Sequence, residues 1–344
     1  MATMRIAIAT DAWSPQVNGV VTTLTQTRDH LLKEGHEVLM VTNEGRRTFP
    51  CPTYPEIRLT LFQGRQIARE LDAFEPDCVH IATEGTLGLS ARRYCLRRGI
   101  PFTTAYHTQM PEYVRARMPI PVRWTYALMR WFHKPAVRTM VPTESMRQRL
   151  LDRGFDDVVL WSRGVLTDVF HPDDAVEYEF ARPVWVYFGR VAVEKNIEAF
   201  LDLSLPGTKI VIGDGPDREK LSGAYPESHF LGYKFGRDLA RHVAGADVFV
   251  FPSKTDTFGV VMLEAMACGV PVAAYPVPGP IDVDKPGLTG CLHDDLTLAC
   301  SRALELNRWD CRHYAETRSW TRSTRQFIDN LAPRPPYPID AEAA

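Results

Sequence analysis

The stretch Ser253-Lys-Thr-Asp-Thr-Phe-Gly-Val-Val-Met-Leu-Glu-Ala-Met-Ala-Cys-Gly-Val-Pro-Val272 decides how this chain is interpreted. It predicts a helix that leads into a buried strand, with Asp256 just before the helix and Glu264 about a turn and a half into it. At the start of this helix, four backbone N–H groups would lack intrahelical partners: those of Phe258, Gly259, Val260 and Val261. They would lie at the positive end of the helix dipole, which suits a diphosphate. An amphipathic helix before a strand, without a ligand, is the alternative.

From these positions, Glu264 can accept hydrogen bonds from ribose hydroxyls and Asp256 from hydroxyls of a sugar. The segment also resembles the signature of the retaining GT-B glycosyltransferases of family 4. In that signature two acidic residues are separated by seven others and are followed by an Ala-Met-Ala-x-Gly-x-Pro-Val run. The resemblance extends over residues 4–331. Family members usually carry Glu at the first acidic position, so Asp256, one methylene shorter, can change which sugar or phosphate contact is made.

A second motif, Gly-Arg-Val-Ala-Val-Glu-Lys-Asn at 189–196, follows an apolar run of strand length. Arg190 and Lys195 are therefore expected at the carboxyl end of a strand. Two cations there can hold a diphosphate and stabilise the charge that develops on the leaving phosphate. The Arg-x4-Lys spacing also resembles the diphosphate clamp of the same family. A pair of solvent-exposed cations is the alternative.

Glycines and one aromatic residue extend the predicted donor site. The turn Gly-Asp-Gly-Pro at 213–216, which includes Gly215, lets a nucleotide lie close to the backbone. In the resembling family this turn lines the nucleotide pocket, and the position of Tyr233 meets the base. In the first half, Gly19 precedes a helix and lets N–H groups approach the donor phosphates. No Gly-x-Gly-x-x-Gly follows the first strand, which argues against an NAD-dependent enzyme.

His107 is expected at the end of another strand, facing the same cleft; a purely structural His is the alternative. In resembling enzymes this His contacts the sugar or acceptor near the reacting carbon. The resemblance further implies a retaining transfer in which the leaving phosphate accepts the acceptor's proton, with no protein nucleophile, metal or other cofactor. The predicted catalytic residues are His107, Arg190, Lys195 and Asp256.

The composition bounds the class of protein. The chain has 344 residues, enough for two domains, and its 45% hydrophobic and 24% charged residues are ordinary for a soluble protein. Neither a signal peptide nor an apolar run of about 18 residues occurs, so we expect a cytoplasmic protein without a membrane span. The seven Cys form no Cys-x-x-Cys pair and are expected to be reduced structural thiols.

Apolar runs of strand length alternate with helical patterns along both halves of the chain. This alternation predicts an α/β protein with two Rossmann-like, doubly wound parallel-sheet domains and a cleft between them. Strands are expected at or within 5–10, 35–42, 77–81, 100–106, 137–145, 158–161, 184–188, 209–212, 228–231, 247–251 and 270–274. The predicted units are an acceptor domain (1–165), a linker (166–182), a donor domain (183–315) and a C-terminal helix (316–334) that, by the resemblance, crosses back to the first domain.

The two halves differ in charge. Residues 1–165 hold 22 Lys and Arg against 16 Asp and Glu, and the remainder is acidic. A basic half attracts anionic partners, whereas an uneven scatter of solvated Arg is the alternative. Nucleic acid could also explain the basic half, but we do not expect it as a partner, because no recognition motif is present and the acidic half would repel it.

Basic and aromatic residues interleave in a helix expected between Pro121 and Pro135. One stripe of that helix consists of Trp124, Leu128, Trp131 and Phe132, and a second, about a quarter-turn away, of Arg123, Arg130 and Lys134. Such a helix suits the surface of an anionic membrane, and we expect it to dock the protein on the cytoplasmic leaflet beside a lipid acceptor. An aromatic stripe buried in the core is the alternative.

Together these features predict a metal-independent, peripherally membrane-bound hexosyltransferase. It would use a UDP- or GDP-sugar and act on a membrane lipid such as diacylglycerol. A soluble glycosyltransferase acting on a polysaccharide or a small polyol is the alternative within the same class. A sugar-nucleotide-binding protein or epimerase on the same scaffold is the alternative from another class.

Overall fold

Two six-stranded parallel β-sheets organise the chain in a computed structural model that describes residues 3–51, 54–61 and 63–334. The strands of the first half are β1 (Arg5–Ala9), β2 (Glu37–Val41), β3 (Thr48–Cys51), β4 (Tyr54–Thr60), β5 (Cys78–Ile81), β6 (Phe102–Ala105), β7 (Arg138–Val141) and β8 (Val158–Leu160). Strands β3 and β4 form an antiparallel hairpin. The others form the first sheet, in the order β2-β1-β5-β6-β7-β8.

The second sheet repeats this architecture. Its strands are β9 (Val184–Phe188), β10 (Thr208–Ile212), β11 (His229–Gly232), β12 (Val248–Phe251), β13 (Val272–Ala274) and β14 (Gly290–Leu292). They lie in the order β11-β10-β9-β12-β13-β14, and every pair is parallel. All five residues of β9 are buried, because both faces of a parallel sheet are covered.

Helices connect the strands and cover the sheets. In the first half they are α1 (Gly19–Lys33), α2 (Gly64–Phe74), α3 (Thr86–Arg98), α4 (Met110–Arg117), α5 (Val122–His133) and α6 (Glu144–Asp152). In the second half they are α7 (Glu198–Leu201), α8 (Arg218–Ala224), α9 (Gly236–Ala244), α10 (Val260–Ala267), α11 (Pro280–Val283), α12 (Leu296–Ala303), α13 (Arg308–Glu316) and α14 (Trp320–Asn330). In the second domain, α9, α10 and α13 contribute to one core and α7, α8 and α12 to another.

The predicted fold class, two doubly wound α/β domains, is confirmed. Each predicted strand run overlaps an observed strand. The hairpin of β3 and β4 was not predicted, since Pro50 and Pro55 interrupt its pattern. Strand β14 was missed because its three residues, Gly-Cys-Leu, are too short to show a period.

The last helix, α14, follows the second domain in sequence but packs on the first. Asn330 Nδ2 donates to the carbonyl oxygen of Leu160 at 2.8 Å, and the N–H of Val165 donates to the carbonyl oxygen of Arg318 at 2.9 Å. Phe327 is fully buried in the core of the first domain. The segment that leaves the first sheet is therefore held along α14.

No helix in the described ranges combines the length and the apolar character needed to cross a bilayer. The six cysteines whose side chains are described carry free thiols, and five of them are buried.

Candidate active site

The order of strands in the second sheet predicts where a ligand binds. Strand order reverses between β9 and β12, and open α/β sheets bind ligands in the crevice at such a point, outside the carboxyl ends of the strands. The chain leaves β9 toward Arg190 and Lys195, and it leaves β12 toward Asp256. Tyr187 Oη donates to the carbonyl oxygen of Arg190 at 2.7 Å, which fixes the start of the first loop. The fold therefore brings all three predicted residues to one crevice.

Side chains tie these two loops together. Ser253 Oγ and Thr255 Oγ1 both donate to the carbonyl oxygen of Glu194, at 3.4 Å and 3.2 Å. Asn196 Nδ2 donates to the carbonyl oxygen of Pro252 at 3.0 Å. The two loops thus form one rigid wall, because each hydrogen bond joins a side chain of one loop to the backbone of the other.

Close backbone packing explains the glycines of the neighbouring loop. Gly213 has a φ of +141°, and a Cβ there would lie 1.9 Å from the carbonyl oxygen of Gly189. Gly215 has a φ of +156°, and its Cβ would lie 2.2 Å from the carbonyl oxygen of Val191. Only glycine fits these positions. Gly215 therefore has a structural role in holding the loop of Arg190 and Lys195, whatever it contacts in a ligand.

Lys195 and Asp256 form a direct ion pair, with 2.5 Å between Lys195 Nζ and Asp256 Oδ1. Burial lowers the pKa of Lys195, but the Asp256 carboxylate more than offsets this and raises that pKa above its usual value. The second oxygen, Asp256 Oδ2, is buried and accepts no hydrogen bond from any described residue. The pair therefore leaves one carboxylate oxygen for a hydroxyl group and further Nζ–H donors for an anion.

Helix α10 begins at Val260, after Gly259 in the left-handed region with a φ of +83°. Across the described part of the chain, no acceptor pairs with the backbone N–H groups of residues 258–261. These four groups are open donors at the positive end of the helix dipole, on the segment that carries Asp256. This turn is suited to bind a phosphate group.

Glu264 lies one helical turn beyond the start of α10. Burial raises its pKa from 4.5 to about 7, and neither a hydrogen bond nor a neighbouring charge lowers it. A half-buried carboxyl group without donors is unfavourable when it ionises, so this site is stabilised by a ligand that supplies them. Adjacent hydroxyls on one ring, as in ribose, have the required chemistry.

The first domain contacts this wall directly. Thr257 Oγ1 donates to the carbonyl oxygen of His107 at 2.7 Å, and Thr143 Oγ1 donates to the carbonyl oxygen of Thr257 at 3.3 Å. Gln109 Nε2 donates to the carbonyl oxygen of Asp256 at 3.2 Å. His107 therefore lies beside the segment that carries Asp256, as the sequence predicts for the opposing wall.

The His107 side chain is neutral in this setting. Burial, the Arg163 guanidinium and His80 together hold its pKa well below the usual value. Arg163 Nη2 lies 3.0 Å from His107 Nδ1, whereas His107 Nε2 is buried and has no partner among the described residues. The ring thus has one occupied nitrogen and one available nitrogen.

Gly19 and Tyr233 complete the set of predicted donor-binding residues. Gly19 is the first residue of α1, but the Asn18 side chain already accepts from the N–H groups of Val20 and Val21. The donors expected beside Gly19 are therefore partly used within the helix cap. Tyr233 is 45% exposed, and its ring stacks on Phe235 with 5.4 Å between centroids, so it offers a flat apolar surface at the end of β11.

The aromatic stripe on α5 is largely exposed. Trp124, Leu128 and Trp131 are 63%, 56% and 52% exposed, which contradicts the alternative of a buried stripe. Phe132 was wrongly assigned to the exposed stripe, because it is buried at 2% on the face that packs into the domain. Arg123 and Lys134 are exposed and Arg130 is half-buried.

Helix α3 extends this surface. Its exposed Leu89 and Leu96 line a hollow with Trp131, and the hollow is otherwise lined by Ser90, Arg92, Arg93 and Arg97. Arg92 lies over the Trp131 ring, 4.2 Å from its centroid. Neither α3 nor α5 contains an acidic residue. We call the exposed side chains of these two helices the basic-aromatic face.

Several polar contacts around the site have no local signature in the sequence. The hydrogen-bond partners lie far away in the chain for three side chains, those of Gln109, Thr257 and Arg163. No local sequence pattern predicts such pairs. Ser145 and Asp282 also join the domains, with 2.9 Å between the Ser145 N–H nitrogen and Asp282 Oδ1.

In the described ranges, no group of three or more His, Cys, Asp or Glu side chains is arranged to hold a metal ion.

Comparison with known proteins agrees with this geometry. Residues 17–169 match the family described as Glycosyltransferase Family 4, and residues 182–305 match that described as Glycosyl transferases group 1. A GDP-mannose-dependent alpha-mannosyltransferase of Mycobacterium tuberculosis is 32% identical over 319 residues, covering 85% of this chain and 84% of that protein. The sulfoquinovosyl transferase SQD2 of Arabidopsis thaliana is 30% identical over 349 residues, covering 92% of this chain and 66% of that protein.

Solved structures share the fold. Sucrose-phosphate synthase from Thermosynechococcus elongatus has a TM-score of 0.72 at 20% identity, covering 95% of this chain and 98% of that one. Anabaena HepE in complex with UDP-glucose has a TM-score of 0.69 at 15% identity, with the same coverage of both chains. At these identities the likeness establishes the two-domain architecture.

Proposed function

Because the chain belongs to the family 4 glycosyltransferases of GT-B fold, we propose that it moves a hexosyl group from a UDP- or GDP-sugar to a membrane lipid such as diacylglycerol. Glycosyl transfer from a nucleotide sugar follows from the family. The proposal adds the hexosyl donor, retention of configuration, independence from metal ions, and a lipid acceptor at the cytoplasmic face of the membrane.

One observation carries the donor side of this proposal: cations and unpaired N–H groups converge where the second sheet reverses its strand order. Arg190 and Lys195 follow β9, and the open N–H groups of residues 258–261 follow β12. A diphosphate is the anion that matches both sets of donors. Glu264 then accepts from ribose hydroxyls. Relatives named GDP-mannose-dependent mannosyltransferases make GDP-mannose the first donor to test.

The same groups account for the chemistry. When the bond from the sugar to the diphosphate breaks, Lys195, Arg190 and the helix N–H groups stabilise the charge on the leaving phosphate. Asp256 Oδ2 has no partner among the described residues and accepts from a hydroxyl of the sugar. The leaving phosphate accepts the proton of the incoming hydroxyl on the same face, so the configuration is retained. In this scheme the cations carry the role that a metal has in other transferases.

The basic-aromatic face supports the lipid acceptor. Its apolar members, Trp124, Leu128 and Trp131 on α5 and Leu89 and Leu96 on α3, are all exposed. Arginines surround them and no acidic residue lies on either helix, so the face is complementary to anionic head groups. A relative from Acholeplasma laidlawii, 25% identical over 317 residues, is named an alpha-monoglucosyldiacylglycerol synthase, so its named product is a glucosylated diacylglycerol.

Nucleotide release tests the function. The purified protein is incubated with GDP-mannose or with UDP-glucose, with and without vesicles that contain diacylglycerol, and GDP or UDP is measured. We expect release that depends on the vesicles and is unchanged by EDTA. If release of GDP or UDP requires a polysaccharide or a polyol instead of vesicles, the proposed lipid acceptor is wrong. Conversion of the sugar without any acceptor would overturn the transferase.

Vesicle sedimentation tests the docking face. Replacing Trp124 and Trp131 with Ala, and Arg123 and Arg130 with Gln, should weaken binding to anionic vesicles. Two basic residues near a membrane contribute about 1 kcal/mol each, so their loss alone predicts roughly 30-fold weaker binding. Trp309→Ala is the matched control, because Trp309 is 55% exposed on α13 of the other domain. Equal binding of the wild type and the fourfold variant would refute the docking face.

A further inference from the structure

Arg163 is a buried arginine in the segment that joins the two domains. It is only 5% exposed, and it forms no ion pair with a carboxylate in the part of the chain that the structure describes. Its guanidinium donates to the carbonyl oxygens of Trp161 and Ser162, and it lies over the Trp161 ring at 4.6 Å. Burial lowers its pKa to about 9, so it remains a cation at neutral pH. A buried cation without a carboxylate is costly to maintain.

The remaining contact of Arg163 is with His107. Arg163 Nη2 lies 3.0 Å from His107 Nδ1. Every nitrogen of a guanidinium is a donor and none accepts, so His107 Nδ1 must be the acceptor in this pair. In a neutral imidazole the proton then resides on Nε2. His107 Nε2 is buried, and no described residue accepts from it.

We propose that Arg163 is a positioning residue that fixes the tautomer and orientation of His107, so that Nε2–H donates to a hydroxyl oxygen bound in the cleft. The tautomer follows from this contact alone, whereas the role in transfer rests on the function proposed above. The carbonyl oxygen of the same His107 accepts from Thr257 Oγ1, next to Asp256, so the backbone of His107 is anchored to the second domain while its ring is held by Arg163. Arg163 extends that anchor to the segment between the domains.

Three features of Arg163 fit positioning better than stability alone. Its Nη1 contacts are to its own neighbours in sequence, so they do not connect distant elements. Its contact with residue 107 spans 56 positions. Gly164, which follows it, approaches Trp320 so closely that a Cβ would lie 2.3 Å from the Trp320 nitrogen, so the backbone of the segment is held independently of Arg163.

Nitrogen-15 NMR of histidine-labelled protein tests the tautomer without any activity measurement. The resonances of His107 are identified by their loss in a His107→Ala variant. We expect Nδ1 to lack a proton and Nε2 to carry one, and Arg163→Met to allow both tautomers. A proton on Nδ1 of the wild-type protein would overturn the proposal even if the protein is an active transferase.

A double-mutant cycle tests the role in transfer. Arg163→Met should lower kcat about 100-fold with little change in the KM for the donor, since a misplaced group near the reacting atoms costs about that factor. In the His107→Ala background the same change should have an effect below about 3-fold, because Arg163 acts through His107. Arg163→Lys, which keeps a donor, should restore part of the rate. Equal losses in both backgrounds would contradict the proposal.

A second pair of variants leaves Arg163 untouched. In His107→Gln the amide nitrogen can reach the place of Nε2, whereas in His107→Asn it can reach only that of Nδ1. We expect the Gln variant to retain more activity than the Asn variant. The reverse order would show that Nδ1 is the required nitrogen. An inactive wild type in every donor and acceptor combination would instead count against the proposed function and leave the NMR result standing.

Discussion

Replacing Glu264 by Gln should stabilise the protein and weaken its binding of the donor. Burial raises the pKa of Glu264 from 4.5 to about 7. When the pKa of a carboxyl group is higher in the folded state, the fold is fully stable below the unfolded pKa, here 4.5. It loses free energy of unfolding as the pH rises from there through the folded pKa, here about 7. At 1.36 kcal/mol per pKa unit, the ionised group destabilises the fold by about 3 kcal/mol at pH 8. Gln keeps the shape and cannot ionise.

Urea unfolding of the free protein at two pH values measures this effect. Relative to wild type, Glu264→Gln should be more stable by about 3 kcal/mol at pH 8 and by less than about 1 kcal/mol at pH 5. Glu305→Gln is the matched control, because Glu305 is exposed in the same domain. The control should show the same stability as wild type at both pH values.

Calorimetry of donor binding completes the test. A carboxylate that accepts from ribose hydroxyls contributes about 1.5–3 kcal/mol per charged hydrogen bond, so Glu264→Gln should weaken binding at least about 10-fold. If the variant gains no stability at pH 8 relative to pH 5, the raised pKa of the half-buried, unpartnered Glu264 carboxyl group is refuted. A variant that gains stability and binds the donor as wild type does would refute the ribose contact.

Three further predictions concern the remaining contacts. Lys195→Met should lower kcat about 100- to 1,000-fold in steady-state assays at saturating donor, and an unchanged kcat would exclude Lys195 from stabilising the leaving phosphate. Gly213→Ala should lower the free energy of unfolding by about 2 kcal/mol or more, whereas Gly223→Ala, with no atom within 4 Å of its added Cβ, should not; equal stabilities would contradict the close loop packing. Asp282→Ala removes the bonds to Ser145, so X-ray scattering should show a larger radius of gyration, and identical scattering curves would count against the interdomain contact.

The fold and the donor-binding segments were predictable because each depends on local signals. Apolar runs mark the strands, and residues that directly follow parallel strands meet at one edge of the sheet. Arg190, Lys195 and Asp256 could therefore be assigned to one crevice, because each follows the end of β9 or β12 by only a few residues in the sequence. Helical periodicity likewise identified the stripe on α5, since it depends only on spacing along the chain.

Contacts between distant segments could not be predicted in the same way. The ion pair of Lys195 with Asp256 depends on how two loops pack, and no spacing rule distinguishes it from two side chains that each face the ligand. Periodicity also does not define the edge of a stripe. Phe132 lies eight residues after Trp124, about 80° around the helix, which is far enough for it to turn into the core while Trp124 stays exposed.

The configuration of the product tests the central claim most directly. The purified protein is incubated with an anomerically pure α-linked donor and diacylglycerol vesicles, and the glycolipid is isolated and its anomeric proton examined by NMR. We expect one new glycolipid, made only when vesicles are present, in which the sugar keeps the α configuration of the donor. A β-linked product, or sugar released or converted equally well without vesicles, would contradict it.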